Sequence, residues 1–199
     1  MKQVLLLLTL LVCSISTYSE TTILFLGDSL TAGYGVDKDK SFPEVIQRRL
    51  IKEGHDVKIL NGSISGSTSA SALSRIRWYS RAKPTVLILA LGANDGLRGV
   101  KVKTTKENLQ KAITLAKKNK MKVLLAGMML PPNYGKEFTS SFKKMYEKLS
   151  KDNNLTTVPF LLKGVAGEKD LNIEDGIHPN EKGHKIMADN VYPFLKELL

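Results

Sequence analysis

Cysteine is all but missing from this chain. Of 199 residues one is cysteine, Cys13, and it falls in the N-terminal leader. Once that leader is removed no thiol remains, so disulfide staples, thiolate nucleophiles and cysteine-ligated zinc are excluded. Acidic residues are also few: 19 Asp and Glu stand against 30 Lys and Arg, a formal net charge of +11. Many of the lysines fall between Lys101 and Lys122. They read as solvated helix faces, or as transient attraction to an anionic membrane or substrate. No helix-turn-helix, zinc-finger or RNA-binding signature accompanies the charge, which argues against nucleic acid as a partner. There is no His-Glu-x-x-His pattern, so no metal is expected. Gly-x-Ser-x-Gly is absent, which removes the α/β-hydrolase elbow. Gly-x-Gly-x-x-Gly and the Walker loop are absent too, which removes a nucleotide cradle. No linker divides the chain, and 20–199 reads as one domain.

The long apolar run sits at the start. Lys2 precedes Val4–Val12, and the small residues of Ser14–Ser19 follow. That order describes a secretory signal peptide over 1–19. The run is shorter than the ~20 residues of a membrane span. The mature chain is therefore expected to begin near Glu20 and to be periplasmic or secreted. Lipid attachment at Cys13 is the alternative, weakened by Val12, which is not the small residue such processing favours.

Five short apolar runs follow: Ile23–Leu26, Val57–Leu60, Val86–Ala90, Val123–Ala126 and Thr157–Phe160. Each is bounded by turn signals, as buried strands are. Amphipathic segments lie between them. Ser41 and Glu44 read as a capping box with Pro43 in the first turn, and Thr104 with Glu107 repeats the signal. Leu109, Ala112, Ile113 and Ala116 follow helical spacing, as do Phe138, Phe142, Met145, Tyr146 and Leu149. Ile186 to Leu198 forms the last stripe. Strands alternating with helices imply a parallel sheet covered on both faces, a three-layer α/β/α sandwich. Ligands then sit outside the carboxyl ends of the strands.

Chemistry gathers at those ends. Gly27-Asp28-Ser29-Leu30 closes the first strand, where a tight turn can hold a serine exposed. Of three histidines, His55 and His184 read as surface residues. His178 differs, because Asp175 precedes it by three residues and Gly176 eases the turn. A carboxylate folded onto Nδ1 would leave Nε2 facing a serine. Gly66 can offer an unobstructed N–H, and Asn94 in Gly92-Ala93-Asn94-Asp95 can aim its amide into the rim. Asp28 suits a hydrogen bond that shapes the turn. Leu97 and Arg98 follow Asn94 and should rim a pocket, and Met129 should line it. Core packing accounts for Met128 and Met129 equally well.

Taken together, these segments resemble the SGNH hydrolases, or GDSL esterase/lipase family. The blocks are Gly-Asp-Ser-Leu at 27–30, Gly66, Gly-Ala-Asn-Asp at 92–95, and Asp175-x-x-His178. Gly92 to Gly99 and Pro132-Asn133-Tyr134-Gly135 are similar to the bacterial periplasmic thioesterase/lysophospholipase group. The resemblance implies a flavodoxin-like five-stranded parallel sheet and an enzyme that needs no cofactor; a monomer is expected. It implies hydrolysis of acyl esters, thioesters or lysophospholipids. In the roles it implies, Ser29, Asp175 and His178 form a triad, and Ser29, Gly66 and Asn94 hold an oxyanion. A carbohydrate acetylesterase on the same fold and a non-catalytic exported binding protein are the alternatives.

Overall fold

A computed structural model describes residues 20–199. The expected signal peptide and Cys13 lie outside them. Five strands form one parallel sheet: β1 (Thr21–Gly27), β2 (Val57–Asn61), β3 (Val86–Ala90), β4 (Lys122–Ala126) and β5 (Thr156–Val158). Their spatial order is β2-β1-β3-β4-β5, the flavodoxin-like order. Seven helices connect them: α1 (Ser29–Ala32), α2 (Phe42–Lys52), α3 (Ala72–Tyr79), α4 (Ala93–Leu97), α5 (Val102–Lys118), α6 (Lys136–Asn153) and α7 (Glu181–Lys196). α2 packs on α7 over one face of the sheet, and α3, α5 and α6 cover the other. The α/β sandwich expected from the sequence is thus the architecture observed.

β3 is buried along its whole length, as a central parallel strand must be. Ile23, Leu24, Phe25 and Leu26 of β1 are equally inaccessible. Burying such side chains contributes about 1.5–3 kcal/mol each. The stripes read from the sequence face this core: Leu109, Ala112, Ile113 and Ala116 from α5, and Phe142, Met145, Tyr146 and Leu149 from α6.

Four local readings need correction. Ser41 does cap α2 by position, but its hydroxyl donates to the Lys38 carbonyl at 2.8 Å and not to the helix. Part of that capping is done by His184, whose Nδ1 accepts from the Phe42 amide at 3.2 Å. His184 is therefore fully buried, stacked on Phe42, and not a surface residue. Burial pushes its pKa down to about 4. α5 starts at Val102, so Thr104 lies inside the first turn, and Thr105 turns its hydroxyl inward to Asp95. β5 stops at Val158, because Pro159 has no N–H to continue the ladder. α3 is a further amphipathic helix, beyond those the sequence reading named.

Candidate active site

β1 delivers its last residue, Gly27, against Thr31 of the next turn. A Cβ at 27 would sit 2.2 Å from the Thr31 hydroxyl oxygen, so only glycine fits. Asp28 then caps α1, accepting the Leu30 amide at 3.1 Å. Ser29 is left as the first residue of a four-residue helix at the strand end. Burial pushes the Asp28 carboxyl up to about 6, opposed by the Leu30 amide and by the nearby His178 and Asn94.

His178 arrives from far along the chain on a pinned loop. Asn172 bridges to Pro179 at its base. The Ile173 amide donates to the His178 carbonyl at 2.8 Å, and Asn180 caps α7 just beyond. Gly176 takes the left-handed backbone this turn requires, with φ of 72°. Asp175 Oδ1 accepts the amides of Ile177 and His178, each at 3.0 Å. Its Oδ2 stands 2.6 Å from His178 Nδ1. Burial alone would push the Asp175 carboxyl up, but these amides and the imidazole hold it down at about 2. An ionised Oδ2 calls for a proton on Nδ1, which leaves the Nε2 lone pair for the Ser29 hydroxyl, 2.8 Å away. The Tyr34 ring lies 4.7 Å from the imidazole, tilted by 51°.

The loop after β2 closes the other side. Gly66 has φ of 76° and is exposed. Neither its N–H nor that of Ser29 donates to a backbone carbonyl. Asn94 comes from the start of α4, its Nδ2 held by the Ser67 carbonyl at 3.1 Å, with a longer 3.4 Å contact to Asp28. Ser29, Asp175, His178 and Asn94 are thus joined through direct contacts or through Asp28, with Gly66 beside Ser67.

Residues 25–186 match the GDSL-like Lipase/Acylhydrolase family. The chain belongs to that family. Among curated relatives, it is 38% identical to "Esterase TesA" of Pseudomonas aeruginosa over 89% of both chains. It is 36% identical to the "Arylesterase" of Vibrio mimicus over 94% of both. It is 32% identical to "Thioesterase 1/protease 1/lysophospholipase L1" of Escherichia coli K12, over 84% of this chain and 80% of the other. A solved structure described as "Crystal Structure of TesA" superposes with a TM-score of 0.87 at 38% identity, over 90% of this chain and 100% of that one. Family membership makes the chain an acylhydrolase.

Three features of this acylhydrolase's rim had no assigned place in the sequence reading. Asp95 is buried, and it accepts the Ser69 amide at 2.8 Å, the Ser69 hydroxyl at 2.5 Å and the Thr105 hydroxyl at 3.2 Å. Arg75 donates from Nη1 to the Ser67 hydroxyl at 3.1 Å and to the Gly27 carbonyl at 3.3 Å. Tyr34, over His178, is the third. The one signal for Asp95 was its place beside Asn94; nothing in the local sequence pointed to the other two. Arg98 is exposed and donates to the Gly66 carbonyl at 3.0 Å, so its side chain ties down the loop. Leu97 and Met129 are each 38% exposed, while Met128 and Leu130 turn into the core. The Tyr134 hydroxyl donates to the Leu97 carbonyl at 3.1 Å. Among the described residues, no three His, Cys, Asp or Glu side chains converge to hold a metal.

Proposed function

We propose that this protein is an exported serine hydrolase that cleaves acyl esters and thioesters, lysophospholipids among them, through an acyl-enzyme on Ser29. The contact series Asp175–His178–Ser29, at 2.6 and 2.8 Å, is the observation that carries the reading. Ser29 Oγ attacks the acyl carbon as His178 Nε2 takes its proton. Asp175 holds the imidazole and stabilises the imidazolium. The carbonyl oxygen becomes an oxyanion, which the Ser29 and Gly66 amides and Asn94 Nδ2 receive. An amide NH₂ has two hydrogens. In Asn94 one is held by the Ser67 carbonyl, and the other, engaged only in the long 3.4 Å contact with Asp28, is the one left for the oxyanion. His178 then protonates the leaving alcohol or thiol. Water attacks the acyl-enzyme by the same route and releases the carboxylic acid, restoring Ser29.

Leu97, Arg98 and Met129 border the acyl site in this reading, with the exposed Leu97 and Met129 offering apolar contact. The protein acts as a monomer of one domain, 20–199, in the periplasm or outside the cell.

A serine-directed fluorophosphonate, read by intact mass and peptide mapping, tests the mechanism. One adduct on Ser29, lost in Ser29→Ala, is expected. No adduct on the folded protein would favour a binding protein. A chain-length series of p-nitrophenyl esters, with acyl-CoA and lysophosphatidylcholine alongside, tests the substrate class. A strict preference for acetyl esters would move the assignment to an acetylesterase.

A further inference from the structure

Charge is segregated along this chain. Residues 57–136 hold 15 Lys and Arg against two Asp and Glu, whereas all other positions hold 15 against 17. That stretch builds β2 to β4 with α3, α4 and α5 between them, so the excess falls on the layer where α3 packs against α5. One of its two acids, Asp95, is buried and spent on Ser69 and Thr105. The opposite layer is balanced and ion-paired, with Arg49 to Asp189 and Lys196 to Glu53.

The end of α3 carries a second feature. Trp78 is the only tryptophan of the chain, and it is 64% exposed. The Arg81 guanidinium lies 5.0 Å from its ring centroid. Arg77 and Lys83 are exposed on either side. Among the described residues, none of these three cations forms an ion pair. A ring of this size gains free energy when an apolar surface covers it, and Arg81 covers only part of it.

We propose that this patch docks the protein onto an anionic phospholipid bilayer. A tryptophan ring belongs at headgroup depth, its body against acyl chains and its N–H toward polar groups. Flanking Arg and Lys pair with lipid phosphates and are drawn by the negative surface potential. Cations alone would suit any polyanion; the exposed indole among them favours a bilayer. α3 runs away from the catalytic rim, since Lys83 leads into β3 at Val86 whereas Ser29 follows Gly27 at the carboxyl end of β1, so docking through this patch anchors the protein and leaves the Ser29 site uncovered. The fit with lysophospholipid substrates rests on the function proposed above. The docking itself does not.

Because Trp78 is the sole tryptophan, its emission reports this patch alone. The purified protein is titrated with vesicles of phosphatidylcholine and of phosphatidylcholine with 30% phosphatidylglycerol, at low and high salt. The expected result is a blue shift and co-sedimentation with the anionic vesicles only, weakened by salt. The variant R77A/R81A/K83A should bind about a hundredfold more weakly, at ~1 kcal/mol per basic residue. A control on the opposite layer, K52A/K182A/K185A, should bind nearly as the parent does. Both triple variants should keep parental turnover of a soluble p-nitrophenyl ester. Equal loss in both variants, vesicle binding without a Trp78 shift, or a shift with duplex DNA and none with vesicles would each overturn the proposal. Vesicle binding by a protein that fails to hydrolyse esters would leave the docking intact and refute the catalytic reading alone.

Discussion

Asn94→Ala separates catalysis from folding at this site. In the resting protein Asn94 Nδ2 makes one good hydrogen bond, to the Ser67 carbonyl at 3.1 Å, and one long contact to Asp28 at 3.4 Å. Removing the first costs about 1 kcal/mol of stability, and the second adds little. For a chain of this size that lowers Tm by about 2–4 °C. The rate should respond far more. Losing one oxyanion donor typically lowers kcat by about 10²–10³. Acylation and deacylation both pass through a tetrahedral oxyanion, so neither step can mask the loss by becoming rate-limiting. The developing charge is held in the transition state and not in the bound ester, so KM should stay within about threefold. Steady-state kinetics on a p-nitrophenyl ester, beside a thermal melt, read both quantities. A variant that melts within a few degrees of the parent and retains kcat within about fivefold would remove Asn94 from the oxyanion hole.

Asp175→Asn keeps the shape of the turn but loses the charge that fixes the Nδ1–H tautomer; kcat should fall by about 10⁴ with little change in Tm. Asp95→Ala strands the Ser69 amide and the Ser69 and Thr105 hydroxyls in a buried place, so urea unfolding should show a loss of about 3–5 kcal/mol; a loss under 1 kcal/mol would refute the clamp. His184→Gln keeps an acceptor for the Phe42 amide and should change the pH dependence of stability. In the parent, His184 has its pKa pushed down to about 4, so on acidification the unfolded chain binds that proton first and stability falls between about pH 6.5 and 4. Asp28, pushed up to about 6, has the opposite sign: the native state binds its proton first, and stability rises as pH falls from 6 to 4. The two effects oppose each other. Removing the histidine should therefore make the variant gain about 2 kcal/mol over the parent between pH 7 and 4.5, and Asp28→Asn should lose a similar amount. Denaturant titrations at the two pH values check both signs.

The fold was legible because its signals are local. A run such as Val86–Ala90 is short, branched and bounded, and its burial on both faces follows from the helical spacing of its neighbours. The site blocks were legible for the same reason: each glycine, serine, asparagine or histidine stands at a strand end that the pattern itself marks. What escaped depends on partners distant in sequence. Nothing near His184 announces that Phe42, 142 positions earlier, will hand it an amide. Thr104 looked like a cap because Glu107 follows it, yet the neighbouring Thr105 was needed inside for Asp95. Arg75 reads as one more surface cation until the chain folds it beneath Ser67 and the Gly27 carbonyl. Exposed basic residues and one buried one carry the same letter.

Two of the aspartates near Ser29 show how position in the fold divides a single chemistry. Asp28 adjoins the nucleophile and would be the nearer choice for a triad acid by sequence alone. Its oxygens are turned to the Leu30 amide and toward Asn94, and burial holds its pKa up at about 6, where a carboxyl readily takes a proton. A group so easily neutralised is poorly suited to stabilising an imidazolium. Asp175 is 146 residues away in sequence but sits in a turn whose two amides both point at one of its oxygens, leaving the other for the ring. Those donors keep it ionised over the whole range in which an imidazole can act as a base. The three-residue spacing from Asp175 to His178 serves that purpose: it is short enough for the acid's own backbone neighbours to hold its charge in place.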